Sequence, residues 1–259
     1  MSVQFGNVSE DYAKYRDALP DVLFEQLAER GIRFNDANVL DLGAGSGIFC
    51  RQLVEQGAKV TGVEPSRSMI EAAKSQDHEA GIAGSIRYVE EAAEATELPD
   101  RYDAVTAVRA WHWFERDKVL KQIKKQLVPS GLLVIINSVF LGSSDVAQIT
   151  FDVVRNLGIP MNPPGSYAEA KERRNGFSAG WFEEWERSSF LLLAEWQHEY
   201  TVPYSHEQWC GKIRSVSWMT ECSDEVRNKM TEELLRRLSG QEATMHVPHQ
   251  YSVVVLQSI

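Results

Sequence analysis

Residues 39–47 contain the feature that most constrains the fold, because an apolar, strand-like run leads there directly into a glycine-rich turn. The segment reads Val-Leu-Asp-Leu-Gly-Ala-Gly-Ser-Gly, with Gly43, Gly45 and Gly47 at alternate positions. Glycine permits positive φ and carries no Cβ that would keep a ligand away from the backbone. A tight turn that binds nothing needs fewer glycines. The segment therefore predicts a strand, a ligand-binding turn and a helix in direct succession.

Strand-like and helical patterns alternate through the first half of the chain and return near its end. Apolar, β-branched runs predict strands at 38–42, 59–63, 85–89, 103–108 and 132–137. A Trp- and Tyr-rich run predicts a strand at 189–200, and an apolar run predicts the last strand at 251–257. Apolar residues at helical spacing predict helices at 48–56, 119–127, 206–215 and 223–238. Strands that alternate with helices are typical of an α/β fold, in which helices cover both faces of a parallel sheet.

The patterns divide the chain into four regions. We expect an N-terminal helical cap at 1–35 and an α/β core, which would bind the ligand, at 36–141. A substrate-binding lid that includes one sheet strand is expected at 142–245, and a final sheet strand at 246–259. The lid region is irregular, with a Pro/Gly-rich turn at 158–165 and a charged run at 169–175.

Composition narrows the range of partners. The net charge of -10 makes nucleic-acid binding unfavourable, because such binding relies on Lys and Arg to neutralise phosphates. The three cysteines, Cys50, Cys210 and Cys222, form no C-x-x-C pair, so neither a metal site nor a disulfide framework is expected. No apolar run reaches the roughly 18 residues that span a bilayer, and residues 1–18 do not resemble a signal peptide. We expect a cytoplasmic protein without a membrane partner.

The spacing of the glycines distinguishes two kinds of nucleotide ligand. In the dinucleotide fingerprint G-x-G-x-x-G the third glycine would fall at Ile48, whereas here it is Gly47. Asp41, two residues before the first glycine, would repel a pyrophosphate but attract a ligand that carries an ammonium and a sulfonium. Glu64, at the end of the next predicted strand, can accept hydrogen bonds from both ribose hydroxyls. These features favour S-adenosylmethionine over NAD.

Three further segments match one enzyme family. They are Tyr-Ala-Lys-Tyr-Arg at 12–16, Arg-Ala-Trp-His-Trp-Phe at 109–114 and Val-Pro-His-Gln-Tyr at 247–251. Together with the glycine turn, they resemble class I S-adenosylmethionine-dependent methyltransferases, in particular the small-molecule branch with ubiquinone/menaquinone-type and trans-aconitate-type enzymes. The resemblance implies a Rossmann-like, seven-stranded sheet that is mostly parallel with an antiparallel last strand. It also implies helices on both faces and an inserted C-terminal lid.

The resemblance also implies where the cofactor, S-adenosylmethionine, would bind. One departure lies at 91–94, where the family usually has Gly-Asp-Ala-Glu and this chain has Glu-Ala-Ala-Glu. Ala92 thus replaces the acid that takes the adenine amino group, and the backbone amide of Ala93 is expected to serve instead. The implied cofactor contacts are Tyr12, Arg16, Asp41, Gly43, Ala44, Gly45, Gly47, Glu64, Pro65, Met69, Ala92, Ala93, Glu94, Val108, Arg109 and Trp113, and His112 is the candidate catalytic base.

We therefore expect a methyltransferase that acts on N, O or C of a small metabolite, with a heterocyclic or aromatic natural product favoured by the tryptophan-rich second half. A carboxyl O-methyltransferase of a small, trans-aconitate-like acid is the first alternative. A protein that binds S-adenosylmethionine without catalysis is the second, and an NAD-dependent oxidoreductase is disfavoured by the glycine spacing. Either a monomer or a homodimer is compatible with the sequence.

Overall fold

The computed structural model describes residues 14–259. Its strands are β1 (Asn38–Leu42), β2 (Lys59–Val63), β3 (Ile86–Val89), β4 (Tyr102–Val108), β5 (Leu127–Phe140), β6 (Arg173–Arg174), β7 (Phe177–Ser178), β8 (Phe190–Tyr204) and β9 (Met245–Ser258). Seven of these form one sheet in the order β3-β2-β1-β4-β5-β9-β8, and β6 and β7 form a small separate hairpin. Within the main sheet β1 to β5 pair in parallel, whereas β9 runs antiparallel to both β5 and β8. The predicted α/β sheet with an antiparallel last strand is confirmed.

The last two long strands extend beyond their predicted limits. The prediction ended at residue 200 and began again at 251, but β8 continues to Tyr204 and β9 begins at Met245. His249 of β9 pairs with Phe140, the last residue of β5. The start of β9, from Met245 to Pro248, pairs with β8 alone. A two-stranded ribbon outside the sheet does not bury both faces, so its residues lack the apolar run that marks a central strand.

Helices cover the sheet and fill the second half of the chain. They are α1 (Val22–Glu29), α2 (Ile48–Glu55), α3 (Arg67–Glu79), α4 (Arg116–Gln126), α5 (Asp145–Asn156), α6 (Ala179–Arg187), α7 (His206–Arg214) and α8 (Asp224–Leu238). The starts of α3, α5, α7 and α8 are capped by serine side chains, which accept a hydrogen bond from the first turn. Within residues 14–259, no helix combines the length and the apolar character needed to cross a lipid bilayer.

Apolar side chains are buried on both faces of the sheet. On one face Leu40 and Val105 pack with Trp111 and Trp185, and on the other Val39 and Val253 belong to the cluster around α1 and α2. A third cluster joins α5, α7 and α8 to the extended part of β9. Burial of this kind stabilises the sheet by about 25 cal/mol for each Å² of apolar surface removed from water. The carboxyl ends of β1, β2 and β4 are thereby held at one edge of a rigid sheet.

Candidate cofactor site

The glycine turn lies at the carboxyl end of β1, where it leads directly into α2. Gly43, Gly45 and Gly47 all have positive φ, at 70°, 56° and 74°. A Cβ on Gly43 would lie 2.6 Å from Ala110 Cβ, and one on Gly47 would lie 2.2 Å from Tyr88 Oη. A neighbouring group would have to move to admit either Cβ, so packing as well as backbone conformation favours glycine at both positions.

Asp41, in β1, is buried beside the turn. Its Oδ1 accepts a hydrogen bond from Thr106 Oγ1 at 2.6 Å, and its Oδ2 accepts one from the Cys50 thiol at 3.2 Å. Burial raises the pKa of the carboxyl to about 6, against the effect of these two hydrogen bonds and with a smaller contribution from Glu64. The group is therefore mostly ionised at neutral pH, and a ligand with an ammonium would stabilise its charge further.

Glu64 follows β2 and holds the glycine turn from the other side. Its Oε2 accepts from the backbone N–H of Gly45 and its Oε1 accepts from that of Ser66, both at 3.0 Å. Burial raises the pKa of this carboxyl, and the two backbone hydrogen bonds oppose the shift. Each carboxylate oxygen can accept a second hydrogen bond, so the side chain can still bind a diol such as a ribose.

A cavity opens between the glycine turn, the start of α2 and the end of β4. Five of its residues were predicted to contact the cofactor: Asp41, Gly43, Ala44, Val108 and Arg109. Its other lining residues, which sequence reasoning missed, are Asp17, Leu19, Ser46, Ile48, Phe49 and Gln52. The Ser46 hydroxyl is fully buried and has no hydrogen-bond partner within residues 14–259. An unsatisfied buried hydroxyl costs free energy that a polar ligand in the cavity would recover, so this wall fits a cofactor with polar substituents.

Residues 15–19, called the N-terminal wall below, contribute Asp17 and Leu19 to one side of the cavity. Gln52 of α2 holds this segment at Leu19, since its Nε2 donates to the Leu19 carbonyl at 2.7 Å and its Oε1 accepts from the Leu19 N–H at 3.2 Å. Polar side chains on the buried face of a helix are unusual unless they are hydrogen-bonded. Gln52 is 9% exposed, and its place on an otherwise apolar helix face was the signal that could have identified it.

Arg109 and Asp17 form a buried ion pair in the cavity wall. Arg109 Nη2 donates to Asp17 Oδ2 at 2.8 Å and to Ser138 Oγ at 3.1 Å, and Nη1 donates to the Asp17 carbonyl at 2.9 Å. Lys212 also contacts the Asp17 carboxylate. Burial alone would raise the pKa of Asp17, but Arg109 and Lys212 outweigh it and hold that pKa well below the usual value. Arg109 has φ at 56°, a left-handed conformation that is uncommon in non-glycine residues.

Several predicted site residues do not line this cavity. Glu94 Oε1 accepts the N–H of Glu115 at 2.8 Å, so its carboxylate is directed at the start of α4. Tyr12 lies outside the described residues. Gly45 and Gly47 flank Ser46 in the turn but are not lining residues themselves. The other predicted contacts that are absent from the lining are Arg16, Glu64, Pro65, Met69, Ala92, Ala93 and Trp113. Of these, Met69 and Ala93 are buried, while Pro65 and Ala92 are exposed.

His112, the candidate base, is packed among aromatic rings. Its ring centroid lies 4.8 Å from that of Trp113 and 5.1 Å from that of Tyr167, and it does not line the cavity. Burial, with a contribution from the nearby Arg16, lowers the pKa of His112 to about 3. A base this weak accepts a proton poorly at neutral pH.

The tryptophans of the second half are largely core residues. Trp181, Trp185 and Trp209 have at most 2% of their surface exposed. The first two pack near Phe177, and Trp209 donates a hydrogen bond to Thr150 Oγ1 at 2.9 Å. The idea that such residues form a flat substrate pocket is therefore not supported for these three, because their rings are already fully used in packing.

Comparison with known proteins identifies the family of this region. Residues 40–135 match the family described as "Methyltransferase domain". An uncharacterized methyltransferase of Schizosaccharomyces pombe is 24% identical over 259 residues, covering 90% of this chain and 97% of that protein. A ubiquinone biosynthesis O-methyltransferase of Bradyrhizobium diazoefficiens is 35% identical over 112 residues, which cover 41% of this chain and 44% of that protein. The chain spans about half the length of other curated relatives that it matches.

The fold also matches solved structures. An S-adenosylmethionine-dependent methyltransferase from Geobacter sulfurreducens, solved in complex with S-adenosyl-L-homocysteine, aligns with a TM-score of 0.56 at 18% identity, covering 99% of this chain and 98% of that one. That likeness concerns the fold. Residues 40–135 thus match the methyltransferase-domain family, and the fold is that of a solved S-adenosylmethionine-dependent methyltransferase.

Proposed function

We propose that this protein transfers a methyl group from S-adenosylmethionine to N, O or C of a small metabolite. The observation that carries the proposal is the position of Asp41, the glycine turn and Glu64 around one edge of the sheet, next to a cavity with an unsatisfied hydroxyl in its wall. The negative charge of Asp41 suits the ammonium group of this cofactor, and the carboxylate oxygens of Glu64 can accept hydrogen bonds from its ribose hydroxyls.

Each residue has a binding role in this proposal. Asp41 pairs with the cofactor's ammonium, and Glu64 accepts from its ribose hydroxyls. Met69 packs against the adenine, and the backbone amide of Ala93 meets the adenine edge. Bound S-adenosylmethionine supplies a methyl group that its sulfonium already activates. The protein's part is then to hold the acceptor in line with that methyl and to exclude water, and His112 contributes little as a base because its pKa is about 3.

The acceptor is proposed to bind between the core and residues 142–245, which would act as the lid. A heterocyclic or aromatic metabolite remains our first candidate. A small carboxylic acid is the second. We further propose a cytoplasmic protein that acts as a monomer or homodimer, without nucleic-acid or membrane partners, in keeping with its net charge of -10.

Calorimetric titration with S-adenosyl-L-homocysteine tests the proposal. We expect micromolar binding, about -8 kcal/mol. Gly45→Arg should abolish it by filling the turn, and Glu64→Ala should weaken it about tenfold or more by removing acceptors of charge-assisted hydrogen bonds. Glu79→Ala, which removes an exposed carboxylate at the end of α3, is the matched control and should bind normally.

Two results would count against the proposal. Absence of binding by the folded, unmodified protein would mean that the glycine turn serves another ligand. Tight binding without methyl transfer to any member of a broad acceptor panel would instead indicate a cofactor-binding protein that has no catalytic role.

A further inference from the structure

Asp17 joins three distant parts of the chain at the wall of the cofactor cavity. Its Oδ2 accepts from Arg109, at the end of β4, and its Oδ1 accepts from Lys212 of α7 and, at 3.2 Å, from Tyr204 Oη at the end of β8. Asp17 and Arg109 line the cavity, whereas Lys212 does not. Lys212 therefore reaches the cavity wall through its contact with Asp17.

The surroundings of Lys212 match an ammonium group. Its Nζ has three acceptors, namely the Asp17 carboxylate, Tyr204 Oη at 2.8 Å and His249 Nε2 at 2.9 Å. His249 Nδ1 lies 2.9 Å from the Val247 carbonyl oxygen, which can only accept. The ring proton is thus on Nδ1, and Nε2 is left to accept from Lys212. Three acceptors satisfy the three protons of a charged lysine.

Burial works against that charge. Lys212 is 4% exposed, and burial lowers its pKa to about 7, although the Asp17 carboxylate opposes the shift. The charged and titratable groups that face it are Arg16 and Asp17 of the N-terminal wall, Arg109 of β4, Tyr204 of β8 and His249 of β9. Burial, aided by Lys212, lowers the pKa of His249 to about 4, so that ring is neutral near pH 7. Lys212 is then the member of this cluster whose charge changes near neutral pH.

A second contact ties the same two segments together. A Cβ on Gly211 would lie 2.2 Å from the ring of Tyr15, so the tyrosine packs directly on the backbone of α7. The N-terminal wall is thus fixed to α7 by a close apolar contact at Tyr15 and by an ion pair at Asp17. The apolar contact fixes the distance between the segments, and the ion pair fixes the direction of the Asp17 carboxylate.

We propose that Lys212 is a positioning residue for the cofactor, whose ammonium holds Asp17, and through it the Arg109 side chain, in the arrangement that binds S-adenosylmethionine. The proposal rests on the function proposed above. It places a residue of the lid region in control of the cofactor cavity. Loss of the lysine charge would remove one of the cations that stabilise the Asp17 carboxylate, and the cavity wall would become less ordered.

Calorimetric titration with S-adenosyl-L-homocysteine, about one pH unit below and one above the Lys212 pKa of about 7, tests the role of the charge. Below that pKa, Lys212→Met should bind about tenfold more weakly than the unmodified protein, because a charge-assisted hydrogen bond is lost. Above it the difference should become smaller, since the neutral lysine keeps its N–H donors but has lost the charge that methionine also lacks. Lys229→Met, an exposed position in α8, is the control and should follow the unmodified protein at both pH values.

The outcomes separate this role from a purely structural one. A folded Lys212→Met variant with unchanged affinity, or with a loss that is the same at both pH values, would overturn the positioning role. If that variant does not fold, Tyr204→Phe removes one acceptor of the ammonium and should move the pH at which affinity declines to a lower value, and an unmoved midpoint would overturn the role. Absence of binding by the unmodified protein would overturn both this inference and the proposed function.

Discussion

Gly47 and Gly81 have nearly the same backbone conformation in very different surroundings. Their φ angles are 74° and 72°. A Cβ on Gly47 would meet Tyr88 Oη at 2.2 Å and Arg51 Nη1 at 3.0 Å, whereas one on Gly81, after α3, would meet no atom within 4 Å. The pair therefore separates the cost of positive φ from the cost of steric overlap in the glycine turn.

Gly81→Ala should lower the free energy of unfolding by about 1 kcal/mol, the usual cost of a left-handed conformation in a non-glycine residue. Gly47→Ala should cost about 1–3 kcal/mol more, because Tyr88 or the turn must move to admit the methyl group. Urea unfolding of both variants at one pH measures the difference. Equal losses would mean that the turn adjusts freely and that steric packing at Gly47 is unimportant.

At the scale of single residues, the buried position of Asp41 also conflicts with the charge of its carboxylate. Burial raises its pKa to about 6, which means that the ionised carboxylate is disfavoured by the fold itself. In the unfolded chain the Asp41 carboxyl has a lower pKa than in the fold. Above pH 6 the buried charge therefore lowers the free energy of unfolding, and this loss becomes smaller as the pH falls below 6. A residue that weakens the fold and faces a cavity is better explained by ligand binding than by packing.

Among the elements, α2 and the N-terminal wall are linked by two hydrogen bonds of one side chain, in addition to apolar packing around Leu19. Gln52 forms both of its hydrogen bonds with the Leu19 peptide group, 33 residues away. Both residues line the cavity. Because α2 starts at the glycine turn, Gln52 connects the turn to the opposite wall of the site.

Gln52→Met keeps the length of the side chain and removes both hydrogen bonds. We expect the amide hydrogen of Leu19 to exchange with solvent at least about tenfold faster, and stability to fall by about 1–2 kcal/mol. Affinity for S-adenosyl-L-homocysteine should also decline. Gln56→Met, at the exposed end of the same helix, is the control. Unchanged exchange at Leu19 would show that the wall is held by other contacts, such as the Asp17 ion pair.

For the whole molecule, β9 determines whether the two halves of the chain behave as one unit. It pairs with β5 of the core on one side and with β8 of the second half on the other. Removing either half would leave an unpaired edge in the middle of the sheet. The pairing along β9 therefore favours a single cooperative unfolding transition.

Urea unfolding followed by two probes tests this cooperativity. Tryptophan fluorescence reports mainly on the second half, which holds Trp181, Trp185, Trp196, Trp209 and Trp218 of the seven tryptophans. Far-ultraviolet circular dichroism reports on helices throughout the chain. The two midpoints should coincide, and saturating S-adenosyl-L-homocysteine should raise them together. Two separate transitions, with only one shifted by ligand, would show that the halves unfold independently.

Features that depend on neighbouring residues were predictable from the sequence. The five parallel strands of the core, the glycine turn and the start of α2 follow from local apolar patterns and from the spacing of Gly43, Gly45 and Gly47. The acids Asp41 and Glu64 were identifiable because each lies at a fixed place relative to a strand end. Local geometry of this kind is determined by the chain over a few residues, whatever the rest of the molecule does.

Only the tertiary structure decided how the cavity is closed. Asp17 meets Arg109 across 92 residues and Lys212 across 195, and no local pattern marks such a partnership. The same holds for the buried tryptophans, whose composition suggested a pocket but whose rings fill the core. The sequence by itself thus determined the sheet and the glycine turn through short-range backbone preferences. The walls of the site depend on long-range burial and ion pairing, which exist only once the sheet has assembled.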